Sequence, residues 1–278
     1  MKTVQEFAQH LAQDQKIAMI TCYDAWSARL IESSSIDCIL VGDSAAMVMH
    51  GHDSTLPATP EIMASHVAAV RRGAPSKFLI GDFPFLAHRQ GVNHAVGVAQ
   101  LLMQAGAQAV KIEGARGHEE VVGALVEAGI PVMGHLGLTP QSVHQLGGFK
   151  VQARGRQAAE RLHQDARSLE QRGCFALVLE AVPSGVAAKV TAALAIPTIG
   201  IGAGAGTSGQ VLVLHDLLGL NETFQPRFVR RYLDGHTLIR EALEGYADDV
   251  RSTNFPNAEE SYHHEARPHR RRLAAATR

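Results

Sequence analysis

Eight short apolar runs punctuate this chain, at residues 17–22, 38–41, 78–80, 109–114, 131–133, 176–179, 198–201 and 211–214, and stretches of helical pattern separate most of them. A bounded apolar run of that length reads as a strand buried on both faces. Strands alternating with helices are the unit of a parallel sheet. Eight units in 278 residues predict an α/β chain folded as a (β/α)8 TIM barrel. Thr3-Val4-Gln5-Glu6 has the form of a capping box opening a short helix through Leu11, expected as a lid over one end of the core. Thr59-Pro60-Glu61 opens a helix to Gly73, and Asn93 is expected to cap the helix that follows strand three. One unit is defective: residues 202–210 are too short and glycine-rich for a crossover helix, so a shortened crossover is expected between strands seven and eight. The polar loop 138–155 is expected to be a functional lid without helix. Residues 226–250 read as a helix closing the barrel. The catalytic domain is therefore placed at residues 1–250, with a polar, disordered tail at 251–278 that carries Arg270, Arg271 and Arg272.

The fourth run carries charge. In Ala109-Val-Lys-Ile-Glu-Gly114, Lys111 and Glu113 lie two apart and share one face of a strand. Such residues are almost never buried without a partner, so the strand holds either a structural ion pair or a site. The wider pattern favours a site. Asp43, Asp82, Lys111 with Glu113, His135 and Glu180 fall at the C-terminal ends of strands two to six, the rim where barrel enzymes work. Purely structural pairs would be scattered over both ends.

Asp43, Asp82 and Glu113 offer hard oxygen ligands from adjacent strands, suited to Mg2+ or Mn2+ rather than zinc. Lys111 beside such a cation can hold an anionic group such as a carboxylate. Glu180, set in Leu-Val-Leu-Glu, is expected to have a pKa raised by apolar neighbours and to act as a general base. Its alternative is a supporting contact to Lys111 or His135. His135 is open between a hydrogen-bonded barrel histidine and a substrate contact.

Other classes find little support. With a net charge of −1 and 5 % aromatic residues, there is neither a basic stripe nor a stacking surface for nucleic acid. Cys22, Cys38 and Cys174 are odd in number and far apart, which speaks against a disulfide framework and for a reducing cytoplasm. No apolar run reaches the ~20 residues of a membrane span, and the N-terminal stretch lacks a signal-peptide core. Gly204-Ala-Gly-Thr-Ser-Gly209 matches GxGxxG but precedes a strand, so it reads as a tight barrel loop and not a dinucleotide site. His50 and His52 have metal-ligand spacing reminiscent of amidohydrolase barrels, but those carry a histidine on strand six, where this chain has Glu180. His52 is read as part of a mobile loop over the site.

The motifs Val41-Gly-Asp-Ser44, Gly51-His-Asp-Ser-Thr-Leu-Pro57, Ala69-Val-Arg-Arg-Gly-Ala-Pro75, Val110-Lys-Ile-Glu-Gly114, Gly134-His-Leu-Gly-Leu-Thr-Pro-Gln-Ser142 and Ile199-Gly-Ile-Gly-Ala-Gly204 stand in this order. Through residues 17–246 the chain resembles the ketopantoate hydroxymethyltransferase family. The resemblance implies a barrel of the phosphoenolpyruvate/pyruvate type and transfer of a hydroxymethyl group from 5,10-methylenetetrahydrofolate to 3-methyl-2-oxobutanoate. It implies one Mg2+ per subunit held by Asp43, Asp82 and Glu113, and a 2-oxo acid bound by Asp43, Ser44, Asp82 and Lys111, with His135 beside them. Glu180 is implied as the base that removes the C3 proton, giving a metal-stabilised enolate and then 2-dehydropantoate for pantothenate synthesis. A ring-like homo-oligomer in the cytoplasm is also implied, a decamer being one size. Cys22 and Ala181 depart from the family's usual alanine and cysteine without removing a functional group. The nearest rival enzyme is a carbon–carbon lyase or phosphonate mutase of the related barrels, which would act on a 2-oxo acid without folate and commonly carries a reactive-cysteine or acidic loop not found here. A barrel reduced to a binding or scaffolding role is the rival from another class, and an assay separates it.

Overall fold

The computed structural model describes residues 1–222 and 226–262. Eight strands, β1 (Ile17–Thr21), β2 (Cys38–Val41), β3 (Phe78–Asp82), β4 (Ala109–Glu113), β5 (Val132–Gly137), β6 (Ala176–Glu180), β7 (Thr198–Ile201) and β8 (Gly209–Leu212), close in sequence order into a barrel. Neighbours are parallel throughout, and β8 returns to β1 with Ile17 opposite Gly209. The crossover between β7 and β8 has no helix, as its glycines require.

Alternation along the strands divides the core in two. Ile39, Val41, Leu79, Val110, Ile112, Leu177 and Leu179 belong to the layer packed with the helices. Their neighbours Cys38, Leu40, Phe78, Ile80, Ala109, Met133, Ala176 and Val178 form a separate cluster inside the barrel. By the same period of two, Asp82, Lys111, Glu113, His135 and Glu180 continue the inward rows at their C-terminal ends.

The opposite end of the barrel is plugged. Phe7, on the helix Val4–Ala12, is fully buried with its ring 5.4 Å from Phe78 and 5.0 Å from Phe175, both edge-on. The capping box expected there does not form. Thr3 makes no side-chain cap, and its hydroxyl instead donates to Glu6 Oε1 at 3.4 Å. Thr59 does cap its helix, Pro60–Gly73, accepting from the Ile62 N–H at 3.3 Å. The next helix, Val92–Gln104, starts one residue before Asn93, with Gly91 at the N-cap. Arg71, from the Ala69–Pro75 motif, is structural, for its guanidinium binds the carbonyls of Gly106, Ala74, Pro75 and Lys77 and Oε1 of Gln108.

The loop after β5 is not helix-free, for it holds a 3-10 turn at Pro140–Ser142 and a helical turn at Val143–Leu146, stopped by Gly147 at φ +67. Another short helix, Ala45–Val48, follows β2. The final helix is Gly235–Arg251, and the residues before it from Pro226 are irregular rather than helical. The described chain divides into two compact units, Met1–Leu233 and the residues from Asp234 to 262. Taken by itself, the final helix leaves Ile239, Leu243, Tyr246 and Val250 exposed along one stripe. Residues 263–278, including the arginine cluster at 270–272, lie outside the described residues. No helix among the described residues is long and apolar enough to cross a membrane.

Candidate active site

Strand register brings the predicted residues side by side: Asp82 is level with Lys111 across β3 and β4, and Glu113 with His135 across β4 and β5. Glu180 ends β6 level with Gly137, while Asp43 and Ser44 lie just beyond β2. All seven expected residues thus sit on one rim, and Asp43, Asp82, Lys111, Glu113 and His135 are buried there.

Lys111 is the hub. Its ammonium is 2.9 Å from Asp82 Oδ1 and 4.0 Å from Glu113 Oε1, and it contacts His135 Nδ1 at 3.0 Å. Burial pulls its pKa down, but Asp82, Glu113 and Asp43 outweigh this and hold it above the ordinary value. The ammonium can only donate, so Nδ1 of His135 accepts and the ring proton lies on Nε2. Burial and Lys111 also push the His135 pKa down to about 4, which keeps the ring neutral. Its 3.5 Å approach to Glu113 Oε1 is therefore no ion pair. The ring's Nε2 stands 3.2 Å from Glu180 Oε2, a contact too bent for a full hydrogen bond. The apolar enclosure expected around Glu180 is incomplete, since its side chain is 16 % exposed against 2 to 4 % for Asp82, Lys111, Glu113 and His135.

The carboxylates resist ionisation. Burial raises Asp43 to about 6, helped by Glu113, raises Asp82 to about 7, helped by Asp43, and raises Glu113 to about 7, with Lys111 opposing in each case. Three carboxylates facing one ammonium carry an excess of negative charge in low dielectric. Glu113 Oε1 is buried with no hydrogen-bond partner. Hard oxygens, excess charge and an unpartnered carboxylate oxygen fit a divalent cation. Among the described residues no three Asp, Glu, His or Cys side chains are arranged as a finished ligand set, so the fit is one of donor chemistry.

Two residues of the site carry no role in the sequence reading. Gln141, inside the Gly134–Ser142 motif, donates its backbone N–H to Glu113 Oε2 at 3.0 Å. Its Nε2 donates to Asp43 Oδ2 at 2.8 Å and to the Phe83 carbonyl at 2.7 Å. The loop after β5 therefore ties carboxylates from two other strands together. Tyr23, after β1, shares a 2.8 Å hydrogen bond between its hydroxyl and Ser44 Oγ. Motif membership is the only sequence signal for Gln141, because an uncharged amide in a loop has no periodicity to betray it.

The remaining sequence signals resolve into structure. His50 Nε2 lies 2.8 Å from His66 Nε2, and His66 Nδ1 donates to the Tyr23 carbonyl at 2.6 Å, so His50 pairs with His66 and not with the exposed His52. The Gly204–Gly209 stretch is the helix-free turn into β8, where Gly204 (φ +78) has no room for a Cβ against Ser184. Cys22, Cys38 and Cys174 are buried, and burial pushes each thiol pKa up, that of Cys174 to about 12. None is a ready nucleophile.

Comparison with known proteins identifies the family. The family model described as ketopantoate hydroxymethyltransferase matches residues 1–258. A 3-methyl-2-oxobutanoate hydroxymethyltransferase of Coxiella burnetii (strain CbuG_Q212) is 54 % identical over 255 residues, covering 91 % of this chain and 96 % of that protein. One from Bdellovibrio bacteriovorus is 53 % identical over 262 residues, covering 94 % and 100 %. Among solved structures, 2,3-dimethylmalate lyase, a PEP mutase/isocitrate lyase superfamily member, superposes with a TM-score of 0.62 at 17 % identity, covering 90 % of this chain and 89 % of that one. Phosphonopyruvate hydrolase, solved with oxalate and Mg2+, gives 0.62 at 11 % identity, covering 94 % and 93 %. These two likenesses concern the barrel fold. The family model over residues 1–258 and relatives more than half identical to it place the chain in the ketopantoate hydroxymethyltransferase family of transferases.

Proposed function

We propose that this chain transfers a hydroxymethyl group from 5,10-methylenetetrahydrofolate to 3-methyl-2-oxobutanoate, forming 2-dehydropantoate for pantothenate synthesis. The observation that carries the reading is Glu180, the half-buried carboxylate of the rim, facing a neutral His135 that is bound to the buried Lys111. Lys111 and the Ser44 hydroxyl receive the carboxylate of the 2-oxo acid. Asp43, Asp82 and Glu113 would hold one Mg2+, which when bound supplies Lewis-acid polarisation of the keto oxygen.

Glu180 takes the proton from C3, and the electron pair of that C–H bond moves toward C2 to give the enolate. His135 Nε2–H steadies the carboxylate through the transfer, while Tyr23 and Gln141 fix Ser44, Asp43 and Glu113 so that little reorganisation accompanies charge development. Carbon C3 then bonds to the donor's methylene carbon, whose two C–N bonds, to N5 and N10, break as the new C–C bond and the C–O bond from one water replace them. The C3 proton held by Glu180 and one proton of that water end on the two nitrogens of the departing tetrahydrofolate, so atoms and charge balance.

The enzyme works in the cytoplasm as a ring-like homo-oligomer in this reading, the exposed stripe of the helix Gly235–Arg251 supporting self-association. Supplying a donor labelled with 13C in the methylene tests the reaction. Label in the hydroxymethyl carbon of 2-dehydropantoate supports it, and absence of labelled product from an active preparation contradicts it.

A further inference from the structure

A cavity of about 420 Å3 opens beside Glu113 and Gln141 and extends toward the loops that follow β3 and β5. That volume lies in the range of small-molecule sites. Phe85 and Leu86 form an apolar part of its wall, 39 % and 45 % exposed, and Leu86 is held at φ +59, a conformation non-glycine residues seldom adopt. Arg89 belongs to the same lining.

Arg89 is clamped but not neutralised. Its Nη1 donates to the Arg116 carbonyl at 2.7 Å and its Nε to His88 Nε2 at 3.1 Å, while among the described residues no carboxylate pairs with it and Nη2 has no partner. His88 is buried, and a ring that accepts from a guanidinium carries its own proton on Nδ1. The imidazole thus orients Arg89 without sharing its charge. A guanidinium held through two of its three nitrogens, with the third free, is already set for an anion. His144 lines the cavity from the loop after β5.

We propose that this cavity takes the carboxylate-bearing end of the one-carbon donor, with Arg89 as the anion anchor and His88 as the residue that positions it. The inference rests on the functional reading above and names the donor subsite within it. The donor's p-aminobenzoyl ring lies along Phe85 and Leu86, its glutamate carboxylate reaches Arg89, and its reactive carbon faces the end of the cavity where Glu113 and Gln141 stand. An aromatic ring against apolar walls and a carboxylate on a guanidinium are the pairings this lining favours.

The test compares two donors, 5,10-methylenetetrahydrofolate and 5,10-methylenetetrahydropteroate, which lacks the glutamate. In the wild type the pteroate donor should show a KM about tenfold higher, the effect of losing one charged hydrogen bond. Arg89→Leu should bring the ratio of the two KM values close to one. Arg89→Lys, which keeps the charge but not the fork, should leave an intermediate ratio, and His88→Phe should lower it part way. A ratio that survives in Arg89→Leu, or one already near one in the wild type, overturns the anchor while transfer itself stands. No transfer from either donor overturns the functional reading and the anchor with it.

Discussion

Lys111 donates from Nζ to Nδ1 of His135 at 3.0 Å, and this contact fixes the tautomer of the ring whose other nitrogen meets Glu180 at 3.2 Å. The Lys111 ammonium and the Glu180 carboxylate are therefore joined through one neutral imidazole. Replacing it by His135→Leu removes both contacts while keeping an apolar side chain in the barrel. Exchange of the C3 proton of 3-methyl-2-oxobutanoate should fall about a hundredfold. An unchanged rate in that variant would mean that Glu180 is held by other groups.

The raised carboxylates give a pH signature. Asp43, Asp82 and Glu113 bind protons more tightly folded than unfolded, with folded values of about 6, 7 and 7. Their contribution to cation-free stability is therefore full below about pH 4 and is lost as pH rises through 6 to 7. Mg2+ competes with those protons, so the Tm gained on adding Mg2+ should grow from about pH 5.5 to pH 8. Asp82→Asn should shrink that gain at every pH. A gain independent of pH, or unchanged in Asp82→Asn, contradicts the assignment of these carboxylates to the cation.

Phe7, on the first helix of the chain, closes the far end of the barrel against Phe78 and Phe175. Phe7→Ala should cost about 3–5 kcal/mol in a urea melt, the range for a large aromatic removed from a core. A loss under about 1 kcal/mol would show that the plug repacks freely.

On the helix Gly235–Arg251, Ile239, Leu243, Tyr246 and Val250 recur at helical spacing and are all exposed. Leu243→Glu combined with Tyr246→Lys should shift sedimentation toward smaller species. Identical profiles for variant and wild type would exclude this stripe as a surface for self-association.

The strand ends are legible in the sequence because period-two rows that are apolar everywhere else change to Asp82, Lys111, Glu113, His135 and Glu180 on one rim only. Strand limits are less so. Gly134 reads as the end of β5 but lies inside it, since a Cβ there would meet Leu177 at 2.6 Å and Leu169 at 2.8 Å. Gly209 likewise looks like turn and begins β8, where only glycine fits against the Ile17 carbonyl. In both, glycine serves close packing rather than a bend. Thr3 misleads because a capping box specifies residue types but not whether the hydroxyl turns toward the backbone or toward Glu6. Gln141 stays hidden because its importance depends on which strands its loop crosses.

In the proposed reaction Glu180 removes the C3 proton at this rim. Deuterium exchange at C3 of 3-methyl-2-oxobutanoate, followed by NMR with Mg2+ and without folate, tests it in the wild type and in Glu180→Gln. Steady exchange is expected in the wild type, and a loss of at least about a hundredfold in Glu180→Gln, with binding of the 2-oxo acid retained. Exchange at the wild-type rate in Glu180→Gln would contradict it.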